Sequence, residues 1–172
     1  MTARDEDTAI RVLVAGIGNI FHGDDGFGPE VVRQVTVEPG NDAFVRMVDY
    51  GIRGMHLAYD LLEDWDALIL IDAIPGRGSP GAVHVFKADL ETLSATAGLE
   101  AHSMDPAAVF STLRALGGAP PHTVVVGCEV DDVDEGLGLS EPVSAAVPEA
   151  VRAVEDLVAR VSNASVTSAR EG

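Results

Sequence analysis

Acidic side chains follow two apolar segments typical of buried β-strands, and a histidine stands just before a predicted helix. Asp24 and Asp25 come after the segment 10–15 and a glycine turn, Asp72 ends a second apolar run, and His102 precedes a helix start. Ligands of open α/β sheets bind beyond the carboxyl ends of the strands, so we expect Asp25 and Asp72 to converge there. Two carboxylates and one imidazole can hold a divalent transition metal with coordination positions left open. Spacing alone makes such a site possible without establishing it.

Each of these residues also has a purely structural interpretation. Asp24 and Asp25 can cap the following helix and complement its dipole. Asp72 can simply end a strand, and His102 can be an ordinary loop histidine. Cys128 is expected to be a small buried side chain, because no histidine pattern supports a nucleophile. The remaining histidines are expected to be structural or surface residues: His22, His56, His84 and His122.

The glycine turn after the first strand differs from a dinucleotide-binding fingerprint. The G-x-G-x-x-G pattern requires a third glycine where this chain has Phe21. The helix start also carries two carboxylates, and at an effective dielectric near 20 a unit charge about 4 Å from a phosphate costs roughly 4 kcal/mol. A helix terminus attracts an anion by only about 1 kcal/mol. The turn therefore favours a cation over a phosphate, which weakens the hypothesis of a noncatalytic nucleotide-binding module.

The composition bounds the class of protein. A chain of 172 residues fits a single domain with a sizeable core. Its formal charge of −17, from 28 acidic and 11 basic side chains, disfavours binding to nucleic acid or anionic lipid. The single cysteine excludes an internal disulfide and fits a reducing compartment. The N-terminus is polar and no apolar run approaches the ~18 residues of a membrane span, so we expect a cytoplasmic protein with no membrane partner.

Hydrophobic periodicity and turn residues predict alternating strands and helices. The residues 88–101 are expected to form a loop with a short helical turn. Asp105 and Pro106 mark a helix start as its cap and first residue. A long helix begins near residue 140; Pro148 is expected to kink or restart it, and the ordered core is expected over 9–162 with a disordered tail over 163–172. The predicted strands are 10–15, 43–48, 66–72, 82–86 and 123–128, and the other helices are 29–35, 55–62 and 106–116.

This alternation predicts a three-layer α/β/α domain with a mostly parallel sheet. The link 73–81 between the third and fourth strands is rich in glycine and proline and contains no helix. A parallel crossover usually takes about a dozen residues or more. The fourth strand is therefore expected to run antiparallel to its neighbour, at an edge of the sheet.

Five segments of the chain carry a resemblance to a known family. They are GIGNIFHGDDGFG (16–28), VDYGIRGMHL (48–57), ALILIDAIPG (67–76), AHS (101–103) and VVVGCEV (124–130). In these segments the chain resembles the hydrogenase maturation endopeptidases, which trim the C-terminal extension from the large subunit of nickel–iron hydrogenases. The segments follow the order seen in that family, and the first and third are the most specific. The resemblance implies a five-stranded mixed sheet of order 2-1-3-5-4 with strand 4 antiparallel.

The same resemblance implies that Asp25, Asp72 and His102 bind the metal and form the catalytic site. Asp25 departs slightly from those members that carry glutamate at its position. The implied ion is nickel supplied by the substrate precursor, although other divalent ions can occupy such a site. The implied partner is the nickel-loaded large-subunit precursor, and nothing in the sequence requires more than a monomer. Whether a carboxylate or metal-bound water attacks the peptide bond is left open.

A receiver-like domain switched by phosphorylation is the alternative from a different functional class. Receivers also combine an acidic pair after the first strand with an aspartate that ends the third. However, a receiver has its acidic pair directly at the strand end, whereas here a glycine loop intervenes. It also needs a lysine after the fifth strand, where this chain has Cys128 and Glu129.

Overall fold

The computed structural model describes residues 9–37, 43–89 and 104–168, the last five by their backbone alone. A short 3-10 turn, Gly23–Gly26, leads directly into the first α-helix. The strands are β1 (Ile10–Ile17), β2 (Ala43–Gly51), β3 (Ala67–Ile74), β4 (Val83–Ala88) and β5 (His122–Glu129), and the helices are α1 (Phe27–Gln34), α2 (Gly54–Asp60), α3 (Pro106–Ala115) and α4 (Glu141–Ser168).

The five strands form one mixed sheet in the order β2-β1-β3-β5-β4. β1 pairs in parallel with β2 and β3, and β3 pairs in parallel with β5. β4 is antiparallel to β5, with Val83 opposite Cys128. The predicted order and the antiparallel edge strand are both confirmed, as expected for a short link that leaves no room for a crossover helix.

Helices cover both faces of the sheet, as predicted for a three-layer α/β/α fold. Alternate residues of β1 point to opposite faces, so Val12 and Val14 join one buried cluster while Leu13 and Ala15 join the other. The first cluster is completed by α1 and α4, and the second by α2 and α3. The central strands are therefore apolar on both sides, which explains their near-continuous hydrophobic runs.

β3 continues beyond the predicted strand end at Asp72. Its pairing with β5 extends through Asp72 opposite Gly127 to Ile74 opposite Glu129. The aspartate is thus a residue within the strand and does not terminate it, because the neighbouring strand supplies backbone partners for two residues more. The backbone is therefore held in the sheet on both sides of Asp72.

The last helix runs through Pro148 as one element, so it does not begin afresh there, and the alternative expectation of a kink at Pro148 stays a prediction. Its described backbone is helical as far as Ser168, beyond the ordered core expected over 9–162. Extending an existing helix adds a hydrogen bond for each residue fixed, so a further turn costs little once α4 has formed. Residues 169–172 lie outside the described part of the chain.

Other expectations fall outside the structure's described ranges. The loop predicted at 88–101 is described only to residue 89, and His102 lies in the segment 90–103. Among the residues that are described, no helix combines the length and apolarity required to cross a membrane.

Candidate metal-binding and catalytic site

Glycines allow the turn that carries the acidic pair to lie directly on the sheet. A Cβ atom added to Gly28 would lie 2.3 Å from the carbonyl oxygen of Ile17 and 2.4 Å from that of Ile71. Gly18 has a φ of +135°, and a Cβ there would lie 1.9 Å from the carbonyl oxygen of Asp25. Side chains at either position would push the start of α1 away from β1 and β3. The glycines therefore bring Asp25 to the carboxyl ends of the two central strands.

Asp25 is a nearly buried carboxylate within this turn. Its side chain is 8% exposed, and its Oδ2 accepts a hydrogen bond of 2.8 Å from the backbone N–H of Asn19. Burial raises the pKa of the Asp25 carboxyl, although the Asn19 hydrogen bond and the nearby charge of His22 act in the opposite direction. The hydrogen bond and the charge of His22 therefore do not fully offset the cost of burying the Asp25 carboxylate.

Asp72 is near enough to Asp25 for the two charges to interact. Burial, together with the negative charges of Asp25 and Asp105, holds the pKa of the Asp72 carboxyl well above its usual range. A hydrogen bond from the backbone N–H of Ala73 opposes this shift only in part. A buried carboxylate beside a second negative charge is stabilised by taking up a proton or by binding a cation.

Asp24 has a different role from its neighbour. It is completely buried, and its two oxygens accept hydrogen bonds from the backbone N–H groups of Asp131, Asp132 and Ser140 and from the Ser140 hydroxyl, at 2.7–2.8 Å. Burial alone would raise the pKa of the Asp24 carboxyl, but these hydrogen bonds together lower it. Asp24 therefore fixes the loop after β5, and its two oxygens already accept four hydrogen bonds.

Glu129 is a second buried acid that the sequence analysis did not single out. It is 3% exposed, and its Oε1 accepts hydrogen bonds from the backbone N–H groups of Arg77 at 2.6 Å and Ser79 at 3.3 Å. Its Oε2 lies 2.8 Å from Nε2 of His84. The His84 and backbone hydrogen bonds lower the pKa of the Glu129 carboxyl. Glu129 thereby holds the loop that follows β3, a few residues beyond Asp72.

The described histidines and the cysteine take structural or peripheral positions, apart from His22. His56 lies 3.6 Å from Asp60 and packs edge-on against Tyr50. His84 pairs with Glu129, and His122 is exposed at the start of β5. His22 is near enough to influence the pKa of Asp25. Burial raises the pKa of the Cys128 thiol to about 12, so it is not a nucleophile at neutral pH.

Two of the three predicted site residues are described, and they are brought together. Within 9–37, 43–89 and 104–168, no three side chains of histidine, cysteine, aspartate or glutamate are grouped as a metal site. The third predicted ligand, His102, lies outside these ranges. Asp105 is the second residue of the next described segment, and its carboxylate caps α3 by accepting a 2.9 Å hydrogen bond from the N–H of Ala107.

Comparisons with known proteins find relatives in sequence and in fold. Residues 29–157 match the model of the HycI hydrogenase maturation protease family. The chain is 30% identical over 148 residues to the hydrogenase expression/formation protein HupD of Rhodobacter capsulatus, covering 83% of this chain and 70% of that protein. It is 29% identical to the hydrogenase 2 maturation protease of Escherichia coli, covering 84% of this chain and 88% of that one. The solved structure of the E. coli maturating endopeptidase HybD superposes with a TM-score of 0.73 at 27% identity, covering 88% and 93% of the two chains.

Proposed function

The chain belongs to the hydrogenase maturation protease family, and we propose that it removes the C-terminal extension of a nickel–iron hydrogenase large-subunit precursor once nickel has been inserted. Its relatives of known structure are endopeptidases, so the chain is a protease. The observation that carries the finer proposal is the paired arrangement of Asp25 and Asp72. Burial raises the pKa of both carboxyls, and the charge of Asp25 raises that of Asp72 further, so a cation carried by a metal-loaded substrate would stabilise both charged forms.

Asp25, Asp72 and His102 are the proposed ligands of the substrate's nickel. The position of Asp105 supports the inclusion of His102. Asp105 is close enough to raise the pKa of Asp72, and three residues of extended chain span at most about 10 Å. His102 is therefore proposed as the third ligand from its separation of three residues from Asp105 and from the family motif.

The ligands act by positioning. When Asp25 and Asp72 bind the precursor's ion, they fix the peptide segment next to that ion at the carboxyl ends of β1 and β3. Holding a scissile bond in one orientation converts its hydrolysis into an effectively unimolecular step. In that step a water oxygen bonds to the carbonyl carbon, the C–N bond breaks, and the departing amine takes up a proton. The choice between a carboxylate and nickel-bound water as the attacking group is not part of the proposal.

The proposal includes the setting in which the protein works. We propose a cytoplasmic monomer whose partner is the nickel-loaded precursor, with no role for nucleic acid or a membrane. The high negative charge, −17, disfavours the last two. Other divalent ions can occupy the same ligands, since carboxylate and imidazole are not selective for nickel.

One assay tests the proposal. The full chain is incubated with nickel-loaded large-subunit precursor, and intact-mass spectrometry follows the loss of a C-terminal peptide. We expect one defined peptide to be released. A precursor that keeps its full mass under these conditions would rule out the proposed activity, and labelling by acetyl phosphate would instead support the receiver alternative.

A further inference from the structure

Three large apolar side chains are exposed on two adjoining loops beside the Asp25 turn. Ile20 and Phe21 lie in the loop after β1, where they are 47% and 60% exposed. Leu137 lies in the loop after β5 and is 75% exposed. Single exposed apolar residues are ordinary on protein surfaces, but several in one place indicate an interaction surface. We call Ile20, Phe21 and Leu137 the apolar patch.

Backbone hydrogen bonds join the two loops and hold the patch in place. The N–H of Gly136 donates to the carbonyl of Phe21 at 2.7 Å, and the N–H of Gly23 donates to the carbonyl of Gly136 at 3.0 Å. The N–H of Asp24 also donates to the carbonyl of Asp132 at 2.8 Å. The buried Asp24 carboxylate adds its four hydrogen bonds to the same loop. The patch is therefore preorganised, which reduces the entropic cost of binding.

The patch lies at the same end of the sheet as Asp25. Phe21 is separated from Asp25 by three residues, and the 3-10 turn Gly23–Gly26 connects them. On the other side of β1, Ile52 in the loop after β2 and Met55 in the first turn of α2 are 61% and 52% exposed. That loop is tied to the first by the N–H of Gly18, which donates to the carbonyl of Gly51 at 2.9 Å. Exposed apolar side chains thus border the Asp25 turn on two sides.

We propose that the apolar patch is the docking surface for the folded body of the metal-loaded precursor. This inference rests on the proposed function and names the partner surface of the same site. An ion carried by another protein must come within about 2.0–2.2 Å of a carboxylate oxygen to bind it. A folded protein that brings its ion so close to Asp25 must also cover Phe21 and Leu137. The partner that covers the apolar patch is thus the folded part of the precursor, and the precursor's C-terminal extension is placed beside Asp25 and Asp72.

Charge indicates the character of the opposing surface. The loop that carries Leu137 also presents four exposed acidic residues, Asp131, Asp132, Asp134 and Glu135. An apolar centre with a charged rim is the usual composition of a specific interface. The precursor is therefore expected to offer an apolar area bordered by lysine and arginine, and added salt should weaken docking.

The test compares a double variant with a matched control. Phe21→Ser together with Leu137→Ser removes the two most exposed anchors, and neither residue contributes to the core. Leu116→Ser is the control, because Leu116 is 42% exposed and lies after α3 on the segment that leads into the amino end of β5. Thermal unfolding first establishes that all three proteins are folded. Processing of nickel-loaded precursor is then measured in single turnovers with the protease in excess.

We expect the double variant to need about tenfold or more protease for half-maximal rate, since truncation of an interface anchor commonly costs above 1 kcal/mol and each 1.4 kcal/mol is tenfold. The limiting rate should change less than about threefold, the Leu116→Ser protein should match the parent, and salt should weaken the parent's docking. A parent that does not process the precursor would refute the proposed function itself. An unaltered half-maximal concentration in the double variant, with an active parent, would overturn the docking surface alone. The docking surface would also be overturned if the parent were a dimer and the double variant a monomer, because the patch would then be a contact between two copies of this chain.

Discussion

The carboxyl groups of Asp25 and Asp72 lie close enough for the charge of Asp25 to raise the pKa of Asp72. Asp25 belongs to a turn after β1 and Asp72 to the interior of β3, so the parallel pairing of these strands brings both residues to the same end of the sheet. The protein keeps two acids together at a place where neither has a cationic partner sufficient to compensate it. Such an arrangement opposes folding at neutral pH and is typical of a site that awaits a positive ion.

Asp25→Asn should lower the pKa of Asp72 and raise the melting temperature at pH 7 while it abolishes processing. Folding raises the pKa of Asp72 above its unfolded value of 3.8, so the charged carboxylate destabilises the fold at all pH values above the folded pKa. Removal of the negative charge of Asp25 reduces this penalty, and the melting temperature should rise by about 2–4 °C for each kcal/mol gained in unfolding free energy. Carboxyl NMR titration and thermal unfolding measure the two effects. Asp134→Asn, at an exposed position, is the control, and an unshifted Asp72 pKa would contradict the prediction.

Asp24→Ala should have the opposite effect on stability. The substitution leaves the buried N–H groups of Asp131, Asp132 and Ser140 without their acceptor, which is expected to cost about 2–4 kcal/mol of unfolding free energy. Because folding lowers the pKa of Asp24 below 3.8, its contribution is present at neutral pH and disappears as the pH falls through the folded value. Urea unfolding at pH 7 and at pH 3 measures this difference. Equal unfolding free energies of the parent and the Asp24→Ala variant at pH 7 would show that these hydrogen bonds do not stabilise the fold.

Glu129→Ala should loosen the loop after β3 without unfolding the sheet. The loop's amides at Arg77 and Ser79 donate to the Glu129 carboxylate, so their hydrogen exchange should accelerate. The pKa of Glu129 is lowered from 4.5, so the same protection in the parent should persist at pH 4.5 and disappear only as the pH falls through the lower pKa of the folded state. Glu129→Gln keeps one acceptor and should be intermediate. Unchanged exchange at both amides in the alanine variant would exclude this role.

His102→Ala should abolish processing and leave the melting temperature nearly unchanged. His56→Ala and His122→Ala are the matched comparisons, because these histidines lie at the α2 surface and at the start of β5. Loss of a metal ligand removes substrate binding, whereas loss of a peripheral imidazole does not. Normal processing by His102→Ala would exclude this histidine as a ligand, and loss of processing in either comparison would point to a different third group.

The sequence predicted those features that depend on neighbouring residues or on strand direction. Apolar runs indicated the five strands, and the short link 73–81 indicated that β4 is antiparallel. The proximity of Asp25 and Asp72 followed from their places at the carboxyl ends of parallel strands. The family resemblance supplied the strand order.

What the sequence did not predict depends on partners far along the chain. Asp24 binds Ser140 at a separation of 116 residues, and Glu129 binds Arg77 at a separation of 52. No local pattern distinguishes such acids from helix caps or surface charges. The extra length of β3 likewise depends on the backbone of β5, which supplies its hydrogen-bond partners.

The central claim is that the precursor's own nickel is what Asp25 and Asp72 bind. The most direct measurement compares nickel-loaded and metal-free precursor in parallel, with the protease added in the presence of a chelator that removes free metal. The account predicts that the loaded precursor loses its C-terminal peptide and that the metal-free precursor does not. Efficient cleavage of the metal-free precursor in the chelator would contradict it.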